Sequence, residues 1–170
     1  MKIFIIGMPG CGKSTFGKEL AVKMGISFFD LDDLIVKKGG ASIPEIFEQK
    51  GEDYFRHIES DCLKEATDTN ETFIMATGGG APCFHDNMDF INQNGISIFL
   101  DVNPVTIAKR ILSDGVEERP LFRGHNYKTL GGALEEKRKN RISFYRLAQF
   151  TFKEDEIDVD NIIKKIKPSL

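Results

Sequence analysis

The stretch IFIIGMPGCGKSTFGKEL, residues 3–20, constrains the fold more than any other part of the chain. Ile3-Phe4-Ile5-Ile6 is short, β-branched and aromatic, which reads as a buried strand. Gly7 ends it, and from Gly7 to Ser14 the chain spells G-x-x-x-x-G-K-S. In that pattern glycines let successive backbone N–H groups turn inward around a polyphosphate, and the helix that follows favours anions at its N-terminus. Gly10, Cys11, Gly12, Lys13, Ser14 and Thr15 are therefore the candidate nucleotide-binding residues. Lys13 is placed to reach the β and γ phosphates, and the Ser14 hydroxyl to ligate Mg²⁺. A plain glycine turn would account for Gly7 and Gly10. It would not account for a lysine in the first turn of a helix, which opposes the dipole unless an anion is bound. Cys11 fits two readings: a small residue filling a tight turn, or a thiol whose thiolate is favoured by the dipole and Lys13.

Apolar runs at 2–6, 26–30, 72–76, 96–100 and 150–152 alternate with amphipathic stretches near 13–24, 31–38, 44–49, 52–67, 85–94, 103–112, 129–147 and 157–166. The alternation predicts one α/β domain over residues 1–170, a three-layer α/β/α arrangement around a five-stranded parallel sheet, with ligands at the carboxyl ends of the strands. A chain of 170 residues buries a sufficient core without disulfides or metals. Cys11, Cys62 and Cys83 are odd in number and far apart, and His57, His85 and His125 are equally scattered, so neither set forms a metal motif. A net charge of −3 leaves no broad basic field for nucleic acid. No apolar run reaches membrane-spanning length and none follows Met1-Lys2 as a signal peptide, so the expected location is cytoplasmic. Residues 113–128 carry Gly115, Pro120 and Gly124 among charges and are predicted to form a mobile lid between two helices.

Six further stretches carry chemistry. In FFDLDD, residues 28–33, Asp30 and Asp32 leave one face of an extended strand end, where two carboxylates call for a cation or a shared proton. Helix capping competes with that reading and is the preferred one for Asp33. Asp101, closing SIFLD, rivals Asp30 as a metal support. Gly78, Gly79 and Gly80 in ATGGGAP follow the strand TFIMAT, and read as the floor of a small-substrate site. Arg56 lies three residues before Glu59 and is, on spacing alone, a surface ion pair. Arg141 shares a helix face with Leu134 and Tyr145, and an arginine on a core-facing stripe calls for an anion. Arg119, in ERPLF, is either solvated or swings onto phosphates.

The glycine loop, FFDLDDLI, SIPEIFEQKGEDYFRHIE, TGGGAP, ERPLF and RISFY follow one another as in the shikimate kinase family, which the chain resembles over roughly residues 1–150. That resemblance implies a P-loop kinase fold with substrate-binding helices at about 31–67, and ATP-dependent phosphorylation of the 3-hydroxyl of shikimate, a step of chorismate and aromatic amino acid biosynthesis. It implies that Asp32, Arg56, Gly79, Gly80 and Arg141 hold shikimate, with the arginines on the carboxylate and Asp32 at the hydroxyls. Lys13, Asp32 and the lid residue Arg119 become the catalytic set, and Asp30 supports Mg²⁺ through water together with Ser14. Shikimate and ATP are then the partners of a monomer. A P-loop kinase of gluconate or a nucleoside monophosphate is the alternative. The chain departs from the family near the expected adenine contacts, where FTFKEDEIDV offers Lys153 as the nearest basic residue, and in the pair Gly131-Gly132, which would make the last long helix start late or bend.

Overall fold

All five apolar runs form strands, and the chain between them folds into helices, as the change from short apolar runs to longer amphipathic segments requires. The computed structural model describes residues 1–113 and 127–169. In chain order the elements are β1 (Lys2–Ile6), α1 (Lys13–Met24), β2 (Ser27–Asp30), α2 (Leu31–Gly39), α3 (Ile43–Thr67), β3 (Phe73–Ala76), α4 (Asn87–Asn94), β4 (Ile96–Asp101), α5 (Pro104–Ser113), α6 (Tyr127–Tyr145), β5 (Phe150–Lys153) and α7 (Val159–Ile166). Short 3₁₀ turns at Ala81–Cys83 and Glu154–Glu156 precede α4 and α7.

The sheet is parallel throughout, in the order β2-β3-β1-β4-β5. Ile3, Phe4, Ile5 and Ile6 of the central strand are fully buried, and alternate residues meet helices on opposite faces. A Cβ on Gly17 of α1 would fall 3.1 Å from Ile5 and 2.5 Å from the Phe28 ring, so glycine lets that helix lie close to the sheet. On the other face, Phe4 packs beside Gly95 at the end of α4. Register sets the edge where the site forms: Asp30 pairs with Ala76, Ala76 with Ile5, and Ile6 with Phe99. The carboxyl ends of β2, β3, β1 and β4 are thereby aligned.

Several boundaries differ from the sequence expectation for identifiable reasons. The helices predicted at 44–49 and 52–67 are one element broken at Gly51, whose φ of 82° and ψ of 173° lie outside the helical region. The helix predicted from residue 85 starts at Asn87, because His85 and Asp86 take positive φ. α6 begins at Tyr127 and runs through Gly131-Gly132, so it does not start late. Ser113 closes α5 and Tyr127 opens α6, which trims the predicted lid at both ends. The rest of that lid, Arg119 included, lies outside the described residues. Among the described residues, no helix is long and apolar enough to cross a membrane.

Candidate active site

Gly7 turns the chain out of β1 at a φ of 148°, and a Cβ there would lie 2.9 Å from the Leu100 carbonyl oxygen and 3.0 Å from Cys11 Sγ. No side chain fits that corner without moving the neighbouring strand end. Gly10 and Gly12 are also left-handed, at φ 81° and 97°. The Cys11 amide donates to Met8 O at 3.2 Å and closes the loop. Lys13, 8% exposed, folds back under it and donates to Gly7 O at 3.1 Å and Met8 O at 2.9 Å. Its ammonium sits 3.9 Å from Cys11 Sγ. Loop carbonyls thus hold the lysine that opens α1, in addition to any anion it meets. Thr15 is exposed on the first turn.

Ser14 donates to Asp30 Oδ2 at 2.5 Å, and Asp30 Oδ1 accepts the Asp32 amide at 3.0 Å. Asp30 is therefore the N-cap of α2, which corrects two expectations: Asp32 and Asp33 lie in the first turn of that helix, and neither Asp32 extends the strand nor Asp33 caps. Asp101, the rival for the Ser14 side, instead pairs with Arg138 at 2.8 Å. Hard oxygen donors at Ser14 and Asp30, joined at the mouth of the loop, fit Mg²⁺ chemistry. Among the described residues no group of three His, Cys, Asp or Glu side chains forms a metal cluster.

Asp32 points back from α2 toward Gly78, where a Cβ would lie 3.0 Å from Asp32 Oδ1 and 2.7 Å from Glu59 Oε1. Burial raises the Asp32 carboxyl above its ordinary range, and Asp30 adds to this while Lys13 opposes it. Glu59 is 1% exposed, and burial raises its carboxyl as well, with Arg56 pulling it back.

Arg56 is not the surface pair that spacing alone predicts. It is 7% exposed, with Nε and Nη2 on Glu52 at 3.2 and 3.0 Å and Nη1 on Glu59 at 2.7 Å. Its guanidinium lies over the Phe84 ring, 4.3 Å from the centroid. The three glycines make room for this packing. A Cβ on Gly79 would meet Pro9 of the phosphate loop at 2.6 Å, and one on Gly80 would meet Arg56 Nη1 at 2.5 Å. From the other side, Tyr145 of α6 donates to Gly79 O at 2.5 Å, and buried Asn87 donates to Ala81 O at 2.9 Å while accepting from Ser60. Arg141, half-buried one turn before Tyr145, acts on the same neighbourhood, since Glu59 and Cys83 both feel its charge and that of Arg56. A cleft of about 490 Å³ opens here, lined among others by Cys83, Phe84, Lys137, Asn140, Arg141 and Phe144.

Spacing paired Glu59 with Arg56 without revealing its burial, and it missed Arg138 and Arg110 altogether. Glu59 is buried against Arg56 and Asp32, Arg138 holds Asp101, and Arg110 of α5 donates to Cys11 O at 3.3 Å while pairing with Glu154 at 3.5 Å. Arg110 is thus a basic residue at the phosphate loop that spacing could not find, 99 residues from its partner.

Residues 9–170 match the family model described as Shikimate kinase. The chain is 37% identical to the shikimate kinase of Parabacteroides distasonis over 172 residues, covering 97% of this chain and 98% of that one. The crystal structure of shikimate kinase from Bacteroides thetaiotaomicron superposes with a TM-score of 0.89 at 33% identity, covering 99% and 97% of the two chains. The solved structure of shikimate kinase from Acinetobacter baumannii in complex with shikimate gives a TM-score of 0.84 at 34% identity, with 99% and 91% covered.

Proposed function

This chain belongs to the shikimate kinase family, and from that premise we propose that it transfers the γ-phosphoryl group of ATP to the 3-hydroxyl of shikimate, giving shikimate 3-phosphate and ADP. The observation that carries the reading is a shared wall. Gly79 packs on Pro9 of the phosphate loop while Gly80 admits the Arg56 guanidinium, so a donor site and a site for a carboxylate-bearing acceptor meet across adjacent residues. In this reading the loop N–H groups and Lys13 hold the β and γ phosphates. Asp32 takes or orients the proton of the attacking hydroxyl, and burial brings its carboxyl nearer the working pH of a general base. Arg56 and Arg141 grip the acceptor carboxylate and fix the hydroxyl in line, with the Gly78–Gly80 turn as the floor. Ser14, and Asp30 through water, would hold Mg²⁺, which when bound draws charge from the phosphate oxygens. Arg119 takes the lid role on the strength of the family resemblance. The reading extends to a cytoplasmic monomer that supplies chorismate and aromatic amino acid biosynthesis.

The test is ADP release by the purified protein over a panel of shikimate, gluconate and nucleoside monophosphates. Shikimate is expected to exceed the others by at least about two orders of magnitude in kcat/KM, because a nucleotide lacks the carboxylate and gluconate carries it on a flexible open chain that does not hold a hydroxyl in line with the phosphate. Comparable turnover of gluconate or a nucleotide would move the acceptor assignment to that class.

A further inference from the structure

The Arg56 guanidinium meets a different neighbour on each of its surfaces. Phe84 covers a face, with its ring centroid 4.3 Å from Cζ, and the Phe55 centroid lies 5.0 Å away. The end that carries Nη1 and Nη2 abuts Gly80, where a Cβ would fall 2.5 and 2.7 Å from the two nitrogens. Nη1 donates to Glu59 at 2.7 Å, an acid that is 1% exposed and stays with the fold. The remaining edge, Nε and Nη2, goes to a single oxygen of Glu52, at 3.2 and 3.0 Å. Such an edge is one on which arginine receives a carboxylate in two parallel bonds.

Glu52 differs from Glu59 in its access to water. Its side chain is 56% exposed, it lies one turn before Arg56, and it directly follows Gly51, where α3 is broken. Its charge also reaches the α6 cleft, since it acts on Lys137 of the cleft wall. An exposed ion pair along one helix costs little to open, whereas opening a buried one costs several times more. Of the two acids on Arg56, Glu52 is therefore the one that another anion can replace without stranding a buried charge.

We propose that Glu52 is a specificity-determining residue for the acceptor: its carboxylate occupies the Nε–Nη2 edge of Arg56 and is displaced by the carboxylate of the acceptor. The proposal rests on the reading of the protein as a kinase of shikimate. A carboxylate that meets Arg56 alone exchanges one anion for another and gains little. One that also reaches Arg141, on a molecule whose hydroxyl reaches Asp32, gains more than the Glu52 contact gave. Glu52 thus lowers the affinity for every carboxylate by the fraction of time it holds the edge, and leaves a net gain to acceptors that use the rest of the site.

The experiment compares the parent protein with Glu52→Gln and Glu52→Asp, measuring steady-state kinetics with shikimate at saturating MgATP and equilibrium binding of shikimate without nucleotide. Glutamine keeps the length and removes the charge. Aspartate keeps the charge and, one methylene shorter, draws it back from the guanidinium edge. Both are expected to lower KM and the dissociation constant for shikimate about three- to ten-fold, with the change falling on KM rather than kcat. The carboxamide analogue of shikimate, which brings no charge to displace Glu52, should gain about two-fold or less. A raised KM in either variant would show that Glu52 positions Arg56 for the acceptor, and overturns the exchange while the kinase reading stands. A gain with glutamine and none with aspartate, the mark of a charge acting at a distance, overturns it too. Tighter shikimate binding in both variants without phosphorylation supports the exchange and removes the kinase reading. A parent protein that neither binds nor phosphorylates shikimate overturns the two together.

Discussion

Lys13 has two sets of obligations. Its ammonium is aimed at phosphates by the loop sequence, yet the structure places it on Gly7 O and Met8 O inside the loop. Removing this buried cation takes a charged donor from both carbonyls and leaves Met8 O with the Cys11 amide alone. Lys13→Ala is therefore expected to lower turnover about a hundred- to a thousandfold and also to lower the melting temperature by about 4 °C or more, as about 1.5–3 kcal/mol of charged hydrogen bonding implies for a domain of this size. Thermal denaturation of the nucleotide-free protein checks it. An unchanged melting temperature would mean that the contacts to the loop carbonyls contribute nothing to the fold. The same scale explains what the sequence conveyed. Lys13 was legible because a lysine in a first helical turn is locally anomalous. Arg110 was not, because it gains its meaning from a partner brought in by tertiary packing, and Glu59 was legible as the partner of Arg56 but not as a buried acid beside Asp32.

At the level of elements, the site is a junction between the glycine turn after β3, the phosphate loop after β1 and the helices α3 and α6. Alternation along the chain revealed the strands, since Ile3–Ile6 and Phe73–Ala76 are apolar runs bounded by glycine or polar residues. It did not reveal that β3 lies between β1 and β2, which is a matter of pairing between distant segments. It did end the strand at residue 30 and put Asp32 in the following helix, but it did not show that the Asp30 side chain caps that helix. The glycine run gives this junction a test. A methyl on Gly80 collides with the end of the Arg56 side chain, whereas a methyl on Gly79 collides with the rigid Pro9 ring. Gly80→Ala should therefore raise KM for the acceptor about ten-fold or more with little change for ATP, and Gly79→Ala should act chiefly on KM for ATP. Steady-state kinetics with each substrate varied in turn distinguishes them. The same pattern in both variants would show that the turn moves as one body.

On the scale of the whole molecule, the acidic side chains of the site oppose the fold that holds them. Asp32 and Glu59 converge over Gly78, and burial raises both carboxyls above the values they have in an unfolded chain. A group whose native pKa is raised contributes stability that is fully present below its unfolded pKa and is lost as the pH rises through the native one. At neutral pH an ionised Asp32 therefore works against folding, and Asp30 beside it adds to the effect. Glu59 has the same sign, but replacing it would strand Arg56, so Asp32 gives the cleaner measurement. Asp32→Asn should abolish most of the phosphoryl transfer and yet raise the melting temperature at pH 8 by about 2–4 °C, which corresponds to about 1 kcal/mol in a chain of this length. The gain should shrink as the pH falls through the raised native value and vanish below the unfolded value of 3.8, where the parent carboxyl is protonated in both states. A gain that grew on acidification, or a loss at pH 8, would show that Asp32 stabilises the native chain as an anion. The proposed general base would then sit in a site that favours its charge, with less drive to accept the hydroxyl proton.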